Sequence, residues 1–240
     1  MDRHVLLAEK AAVLDQRGFL DVRMVASWWV GPHERPQPVT ELAGSAASFV
    51  LLAADGVGKS TVLQGLRERE PGAVEVRLVT LDKRGMRNAL LDAAETGAPV
   101  YLDALDVAAG LEPAVFLVLE DCLTGPQLAR APLRLACRPA AWDSGLARAL
   151  RVLPLPFREL RLLPLTHDAA VSAVSEVCDD PDRFLDALVG AGLGRLAASP
   201  MRLLSAARQW NLANGLPESQ LAAIRFEIDR LLGETGRPLA

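Results

Sequence analysis

The stretch FVLLAADGVGKST, residues 49–61, decides the fold. Its first four residues are a short apolar run of the kind that forms a buried strand. After residue 61 the apolar side chains of Val62, Leu63 and Leu66 recur at helical spacing. The glycine-rich segment AADGVGKST at 53–61 is therefore predicted to turn from a strand into a helix, which is the context of a P-loop.

The chemistry of this loop suits a nucleotide phosphate. Gly56 and Gly58 allow backbone conformations that a Cβ atom would obstruct, so successive N–H groups can surround a phosphate at the start of the helix. Lys59 is expected to reach the β- and γ-phosphates, and Ser60 to ligate Mg²⁺. The predicted ligand is ATP or ADP with Mg²⁺, and the predicted contacts are Gly56, Val57, Gly58, Lys59, Ser60 and Thr61.

One position departs from the full P-loop pattern, G-x-x-x-x-G-K-[ST]. Ala53 stands where the first glycine is expected. An alanine fits there if its φ is negative, because only a positive φ requires glycine.

A second segment, PVYLDALD at 99–106, ends a predicted strand in an acidic residue. Because the carboxyl ends of parallel strands meet at one edge of a sheet, Asp103 is expected to hold Mg²⁺ through water beside Ser60. A strand and a helix lie between Lys59 and Asp103, which suits a sheet with another strand inserted beside the P-loop strand. The alternative is that Asp103 and Asp106 only cap the next helix.

The wider pattern predicts an α/β fold, a three-layer P-loop NTPase sandwich with a parallel sheet, followed by a small all-helical subdomain. Short Val/Leu runs alternate with helical segments up to residue 165, and helix-start signals such as Asp180-Pro181 and Ser199-Pro200 dominate after it. We divide the chain into a lead-in segment (1–45), the α/β domain (46–165) and a helical lid (166–240). The predicted strands are 49–52, 74–79, 100–102, 133–137 and 160–165, and the predicted helices include 5–17, 60–69, 86–95 and 112–123.

Four motifs together resemble a known family. They are AADGVGKST at 53–61, LDALD at 102–106, LACRP at 135–139 and SPMRLL at 199–204. This set resembles the nucleotide-binding module of STAND-class P-loop ATPases, in particular the bacterial NACHT-like ones, from about residue 49 to 232.

The resemblance implies roles for residues outside the loop. Asp106 corresponds to the second acid of the family's Leu-Asp-x-Leu-Asp-Glu motif, Arg138 to the arginine of its strand-ending Arg-Pro, and Pro200 to a proline near the adenine. From its place at the carboxyl edge of the sheet, Arg138 is also expected to sense the γ-phosphate. We therefore expect Asp106 and Arg138 to act in catalysis and Pro200 to contact the nucleotide. The family's next acidic residue, which orients the attacking water, is replaced by Val107.

That replacement bears on turnover, because a valine cannot accept a proton or hold a water. Either Asp106 takes the role, or Glu120 or Asp121 approaches from elsewhere, or hydrolysis is slow. The resulting expectation is a nucleotide-dependent switch with slow ATPase activity, within a signalling or defence protein that works with a protein partner or by self-association.

Composition narrows the function classes. The 240 residues carry 26 basic and 30 acidic side chains, a net charge of −4, so no overall field favours nucleic acid or anionic lipid. Cys122, Cys137 and Cys178 are scattered, which indicates neither a zinc site nor a disulfide framework. No apolar run reaches the roughly 20 residues of a membrane helix, and we expect a cytoplasmic protein.

Three other readings remain open at this stage. A small-molecule or nucleoside kinase shares the P-loop but needs an acceptor site with a lid. A degenerate interaction module would keep the fold and bind nucleotide without turnover, which Ala53 and Val107 favour. A DNA-dependent motor is opposed by the acidic composition.

Overall fold

The computed structural model describes most of the chain. The described residues are 4–7, 14–15, 17–20, 36–76, 83–111, 115–123, 131–142, 144–213, 215–216, 221–222, 225 and 228. Residues 77–79 of one predicted strand, 8–13 and 16 of one predicted helix, 112–114 of another, and 229–240 of the predicted helical lid lie outside them.

The described strands form one sheet of seven. In chain order they are β1 (His4–Leu7), β2 (Gln37–Pro38), β3 (Ser48–Leu52), β4 (Val74–Glu75), β5 (Val100–Leu102), β6 (Leu133–Cys137) and β7 (Phe157–Leu162). Their spatial order is β2-β1-β7-β3-β6-β5-β4. The five strands from β7 to β4 are parallel, and β1 and β2 extend the sheet in antiparallel pairing.

Helices cover both faces of this sheet. They are α1 (Lys59–Arg67), α2 (Lys83–Thr96), α3 (Leu105–Leu111), α4 (Val115–Leu123), α5 (Ser144–Val152), α6 (His167–Val174), α7 (Pro181–Gly190) and α8 (Pro200–Ala213). Val62, Leu63 and Leu66 of α1 pack on one face against Phe49 and Leu51, as their spacing predicts. Helices α2 to α5 pack on the other face, so the predicted three-layer sandwich is confirmed.

The strand order explains where the site forms. Strand β6 lies between β3 and β5, which confirms the predicted insertion beside the P-loop strand. Since β3, β5 and β6 are parallel, their carboxyl ends meet at one edge. The loop after β3, Asp103 after β5 and Arg138 after β6 therefore lie together.

The all-helical part after β7 begins where local capping signals predict. The Thr166 hydroxyl accepts from the Ala169 N–H at the start of α6, and the Asp180 carboxylate accepts from the Arg183 N–H at the start of α7. Leu185 and Leu188 of α7 and Leu203 of α8 lie in a shared apolar core. These contacts make α6 to α8 one packed unit.

Two sequence predictions are wrong. The last strand is β7, not 160–165, because Pro164 lacks an N–H and the Leu165 carbonyl instead accepts from the Leu20 N–H. Residues 5–7, at the start of the predicted helix 5–17, belong instead to strand β1, which pairs with β7, so tertiary pairing overrides the local pattern there.

The described part of residues 1–45 belongs to both halves of the molecule. Strands β1 and β2 extend the sheet, whereas the buried Phe19 lies in the apolar core around α6 to α8. The boundaries at residues 45 and 165 remain predictions.

Candidate nucleotide-binding site

The loop between β3 and α1 has the backbone that its glycines predict. Gly56 and Gly58 have φ angles of 73° and 97°, in the left-handed region that favours glycine. A Cβ atom at Gly58 would meet nothing within 4 Å, so open space lies where a ligand would approach the start of α1. Among the described residues Ala104 is the only non-glycine with a positive φ, so Ala53 fits without glycine's freedom.

A groove of about 1000 Å³ opens in front of this loop. Helix α1 forms one wall and helix α8 the other, and the turn at Val39 and Thr40 closes one side. The predicted contacts Gly56, Val57, Gly58, Lys59, Ser60, Thr61, Asp103, Asp106 and Pro200 all line it. Further lining residues include Asp55, Gln64, Glu68, Val107, Leu204 and Arg208.

Lys59 lies folded against its own loop. Its Nζ donates to the carbonyl oxygens of Ala53 at 2.9 Å and Ala54 at 3.1 Å. The Asp55 carboxylate lies 3.8 Å from the same nitrogen. The ammonium group is thereby held at the end of the groove that the loop forms.

The two aspartates after β5 differ in environment. The Asp103 Oδ1 accepts from the Ala104 N–H at 2.7 Å, in a turn where Ala104 has a φ of 55°. The Asp106 side chain is 3% exposed, and its Oδ2 lies 2.6 Å from Arg138 Nε. Asp103 is the freer of the two, as expected of a carboxylate that binds Mg²⁺ through water.

Arg138 connects the loop to the start of α3, although it is not among the residues that line the groove. Besides Asp106, its guanidinium contacts Asp55 through Nη1 and Oδ2 at 3.2 Å. The side chain is 44% exposed, so it borders solvent. The structure thus brings the predicted catalytic pair Asp106 and Arg138 into direct contact.

The neighbouring Cys137 offers no nucleophile. Its burial, together with the Asp106 carboxylate, raises the pKa of the thiol to about 12. A thiol that stays protonated at neutral pH is a poor nucleophile, so Cys137 acts as a small core residue.

The start of α8 touches the loop, a contact that sequence reasoning missed. The Gly56 carbonyl accepts from the Ser199 hydroxyl and from the Met201 N–H, both at 3.2 Å. A Cβ atom at Gly56 would lie 3.0 Å from Met201 Cε and 3.1 Å from Ser199 Oγ. In the sequence, Ser199-Pro200 is a helix-start signal. Nothing near it in the sequence indicates that the Ser199 hydroxyl donates to a residue of the loop.

Two of the acids proposed to replace the missing glutamate, Glu120 and Asp121, do not line the groove. Val107 lines it and is 47% exposed. Asp121 on α4 pairs with Arg87 on α2 at 3.2 Å, on the opposite face of the sheet, and neither it nor Glu120 lines the groove. Two of the alternatives drawn from the sequence remain: Asp106 orients the attacking water, or hydrolysis is slow.

The site fits a magnesium nucleotide in its donor set. Ser60 and Asp103 supply hard oxygen atoms at the end of the groove that the loop forms. In proteins, Mg²⁺ is commonly held by one or two carboxylates together with phosphates and water. The described residues contain no group of three or more His, Cys, Asp or Glu side chains arranged for a metal. In the same described part of the chain, no helix has the length and apolar character needed to span a bilayer.

Solved structures similar to the chain include the RuvB Holliday junction branch migration motor of Thermotoga maritima, at 14% identity and a TM-score of 0.44, over 75% of this chain and 60% of that chain. Two single-substitution variants of that protein match over the same 75% of this chain, at 16% and 15% identity and TM-scores of 0.43 and 0.42, covering 60% and 61% of their own chains. The chain therefore spans about 60% of the structures that it matches. No protein-family model and no curated protein matches it. The sheet, its helices and the loop before α1 are those of a P-loop NTPase fold.

Proposed function

We propose that the chain binds Mg²⁺-ATP and ADP and acts as a nucleotide-dependent molecular switch of the NACHT- and STAND-like kind, with slow hydrolysis. The observation that carries the proposal is the contact between the phosphate-binding loop and the lid. The Gly56 carbonyl accepts two hydrogen bonds from the start of α8. A phosphate that moves this loop would therefore also act on the helical part.

Charge and backbone geometry support placing the phosphates at the end of the groove that the loop forms. Helices α1 and α8 both begin at this end of the groove, and a helix start attracts anions. Lys59 supplies a full positive charge there, and Gly58 leaves space at the backbone. Ser60 and Asp103 would hold Mg²⁺, which neutralises the phosphate oxygens when it is bound.

The rest of the groove suits a nucleoside. It follows α8 from Pro200 past Leu204 to Arg208, a length of about 12 Å at the usual rise per residue. Its volume of about 1000 Å³ lies at the upper end of the usual range for small-molecule sites. Pro200 and Leu204 offer apolar surface for a base.

Slow hydrolysis follows from the side chains beside the metal position. Asp106 is buried and already paired with Arg138, so its carboxylate is poorly placed to take a proton from water. Val107 offers no acceptor. A bound triphosphate would therefore persist long enough to signal, with Arg138 able to exchange its exposed partner Asp55 for the γ-phosphate.

Binding calorimetry tests the proposal. Mg²⁺-ATP and Mg²⁺-ADP are titrated into the wild-type chain, Lys59→Ala and the control Arg183→Ala, with phosphate release followed in the same samples. Arg183 is an exposed cation on α7, away from the groove. We expect binding to the wild type and the control, a loss of at least about 100-fold in Lys59→Ala, and little turnover.

Other outcomes contradict the proposal. Equal binding by Lys59→Ala would place the nucleotide elsewhere. Rapid turnover would remove the argument from Val107, and transfer of phosphate to an added nucleoside would favour the kinase. Binding that leaves the protease sensitivity of the helical part unchanged between ATP and ADP would favour the degenerate module.

A further inference from the structure

Four charged side chains beside the loop form a row of alternating sign. Lys59 lies 3.8 Å from Asp55, Asp55 lies 3.2 Å from Arg138, and Arg138 lies 2.6 Å from Asp106. Asp55 lies between the two cations of this row, Lys59 and Arg138, and its side chain is 69% exposed. Its carboxylate thus contacts Arg138 and approaches Lys59, the two cations that the proposed function assigns to phosphate.

A carboxylate and a phosphate compete for such cations because both are anionic acceptors of charge-assisted hydrogen bonds. Only one of the two anions can occupy the Nη1 position of Arg138 that Asp55 holds. Asp55 belongs to the loop itself, between Ala53 and Gly56, so its carboxylate is always present at the site.

We propose that Asp55 is an internal competitor of the γ-phosphate and thereby sets the preference of the site between triphosphate and diphosphate. The inference rests on the proposed function. ADP binds while the contact between Asp55 and Arg138 stays in place. ATP binds fully only when its γ-phosphate displaces the carboxylate, so the competition weakens ATP and leaves ADP nearly untouched.

The fold does not depend on this contact. Both side chains are substantially exposed, and ion pairs of that kind contribute little to stability. Asp55→Asn keeps the shape of the side chain and removes its charge, so the variant should fold as the wild type does.

The test is a set of calorimetric titrations with Mg²⁺-ATP and Mg²⁺-ADP. We expect Asp55→Asn to bind ATP about fivefold more tightly, and ADP less than about twofold more tightly. The matched control is Glu68→Gln, which removes another exposed carboxylate of the same groove. It should change the affinities for ATP and ADP by the same factor.

A double-mutant cycle separates competition from general charge repulsion. In an Arg138→Ala background, Asp55→Asn should no longer favour ATP, because the cation that Asp55 contacts directly is gone and Lys59, at 3.8 Å, lies beyond hydrogen-bond distance. A gain that persists in that background would mean that Asp55 acts only through its charge, and the inference would be overturned.

The remaining outcomes are also decisive. Equal gains for ATP and ADP in Asp55→Asn, or no gain in a chain whose ATP binding depends on Lys59, overturn the inference and leave the proposed function standing. Absence of nucleotide binding in the wild type, Lys59→Ala and Asp55→Asn alike overturns both.

Discussion

Two arginines at the two ends of β6 show how differently the sheet treats charge. Arg134, near the start of the strand, is 0% exposed and lies over the Phe49 ring at 4.8 Å. Its guanidinium donates to the Glu70 carboxylate at 3.0 Å and to the carbonyl oxygens of Ser45 and Ala47 at 2.6 and 2.5 Å. Arg138, just after the strand, borders solvent and has only carboxylate partners among its described ion pairs.

The buried carboxylate at the Arg134 end of the strand, Glu70, has several donors around it. Glu70 accepts from the Tyr101 hydroxyl at 2.6 Å and from the Gly44 N–H at 2.7 Å, besides Arg134. Burial by itself raises the pKa of Glu70, but the hydrogen bonds from Tyr101 and Arg134 outweigh it, and the pKa lies below its ordinary value of 4.5. Burial and the neighbouring Glu70 raise the pKa of Tyr101, so its hydroxyl remains a donor.

The difference teaches what each end can do. At the buried end every partner is a fixed part of the fold, and an ion that lost one would remain uncompensated in the interior. At the open end an incoming anion can replace the Asp55 carboxylate, which is 69% exposed and stays solvated when it is displaced. We infer that one end of the sheet stabilises the molecule and the other exchanges partners with a ligand.

The largest expected effect comes from breaking the buried end. Arg134→Met should lower the free energy of unfolding by about 3–5 kcal/mol, because Glu70 is left buried without its cation. Urea denaturation followed by circular dichroism measures this. The matched control is Asp55→Asn, which removes the exposed partner of Arg138 and for which we expect a loss of about 1 kcal/mol or less, since both side chains are exposed. Equal losses in the two variants would erase the contrast between the ends.

At the open end a substitution should add an activity. Val107 lines the groove beside Asp103 and Asp106 on the first turn of α3. Val107→Glu places a proton acceptor there, and we expect ATP hydrolysis at least about tenfold faster than in the wild type. Phosphate release at saturating Mg²⁺-ATP measures the change.

The control for that substitution is Val107→Gln, which has nearly the same shape but no base. It should hydrolyse ATP at the wild-type rate. If both variants or neither were faster, a missing base at residue 107 would not be what limits turnover.

Local patterns in the sequence predict much of the P-loop and the starts of the helices after β7. The apolar run at 49–52, the glycines of the loop and the caps at Thr166 and Asp180 each act through neighbouring residues, so the sequence alone reveals them. The groove also brings the predicted contacts from Gly56 to Thr61, together with Asp103 and Pro200, to one place. Their role in binding nucleotide remains a prediction.

The contacts that sequence reasoning missed join residues far apart in the chain. Strand β1 is recognisable only through its pairing with β7, and the contact between Asp55 and Arg138 depends on where β3 and β6 end. In LRLAC at 133–137, Arg134 interrupts an otherwise apolar strand, and nothing nearby shows that it is buried. Its acidic partner, Glu70, follows α1 in a different part of the sequence.

The smallest expected effect is a pH dependence that belongs to the buried end. Because the pKa of Glu70 is lowered in the fold, the unfolded chain takes up this proton at a higher pH than the folded chain does. The stabilisation is therefore complete above the ordinary pKa of 4.5 and is lost as the pH falls below it towards the folded pKa. Between pH 6 and about pH 3, the free energy of unfolding should fall by more in the wild type than in Glu70→Gln. The difference between the two falls should be smaller than the whole loss expected for Arg134→Met.

Tyr101→Phe removes one of the hydrogen bonds that lower the pKa of Glu70 and should give an intermediate slope. Parallel slopes in all three chains would mean that Glu70 titrates alike in the folded and unfolded states, and the buried end would then owe its stability to packing around Arg134 instead of to its charges.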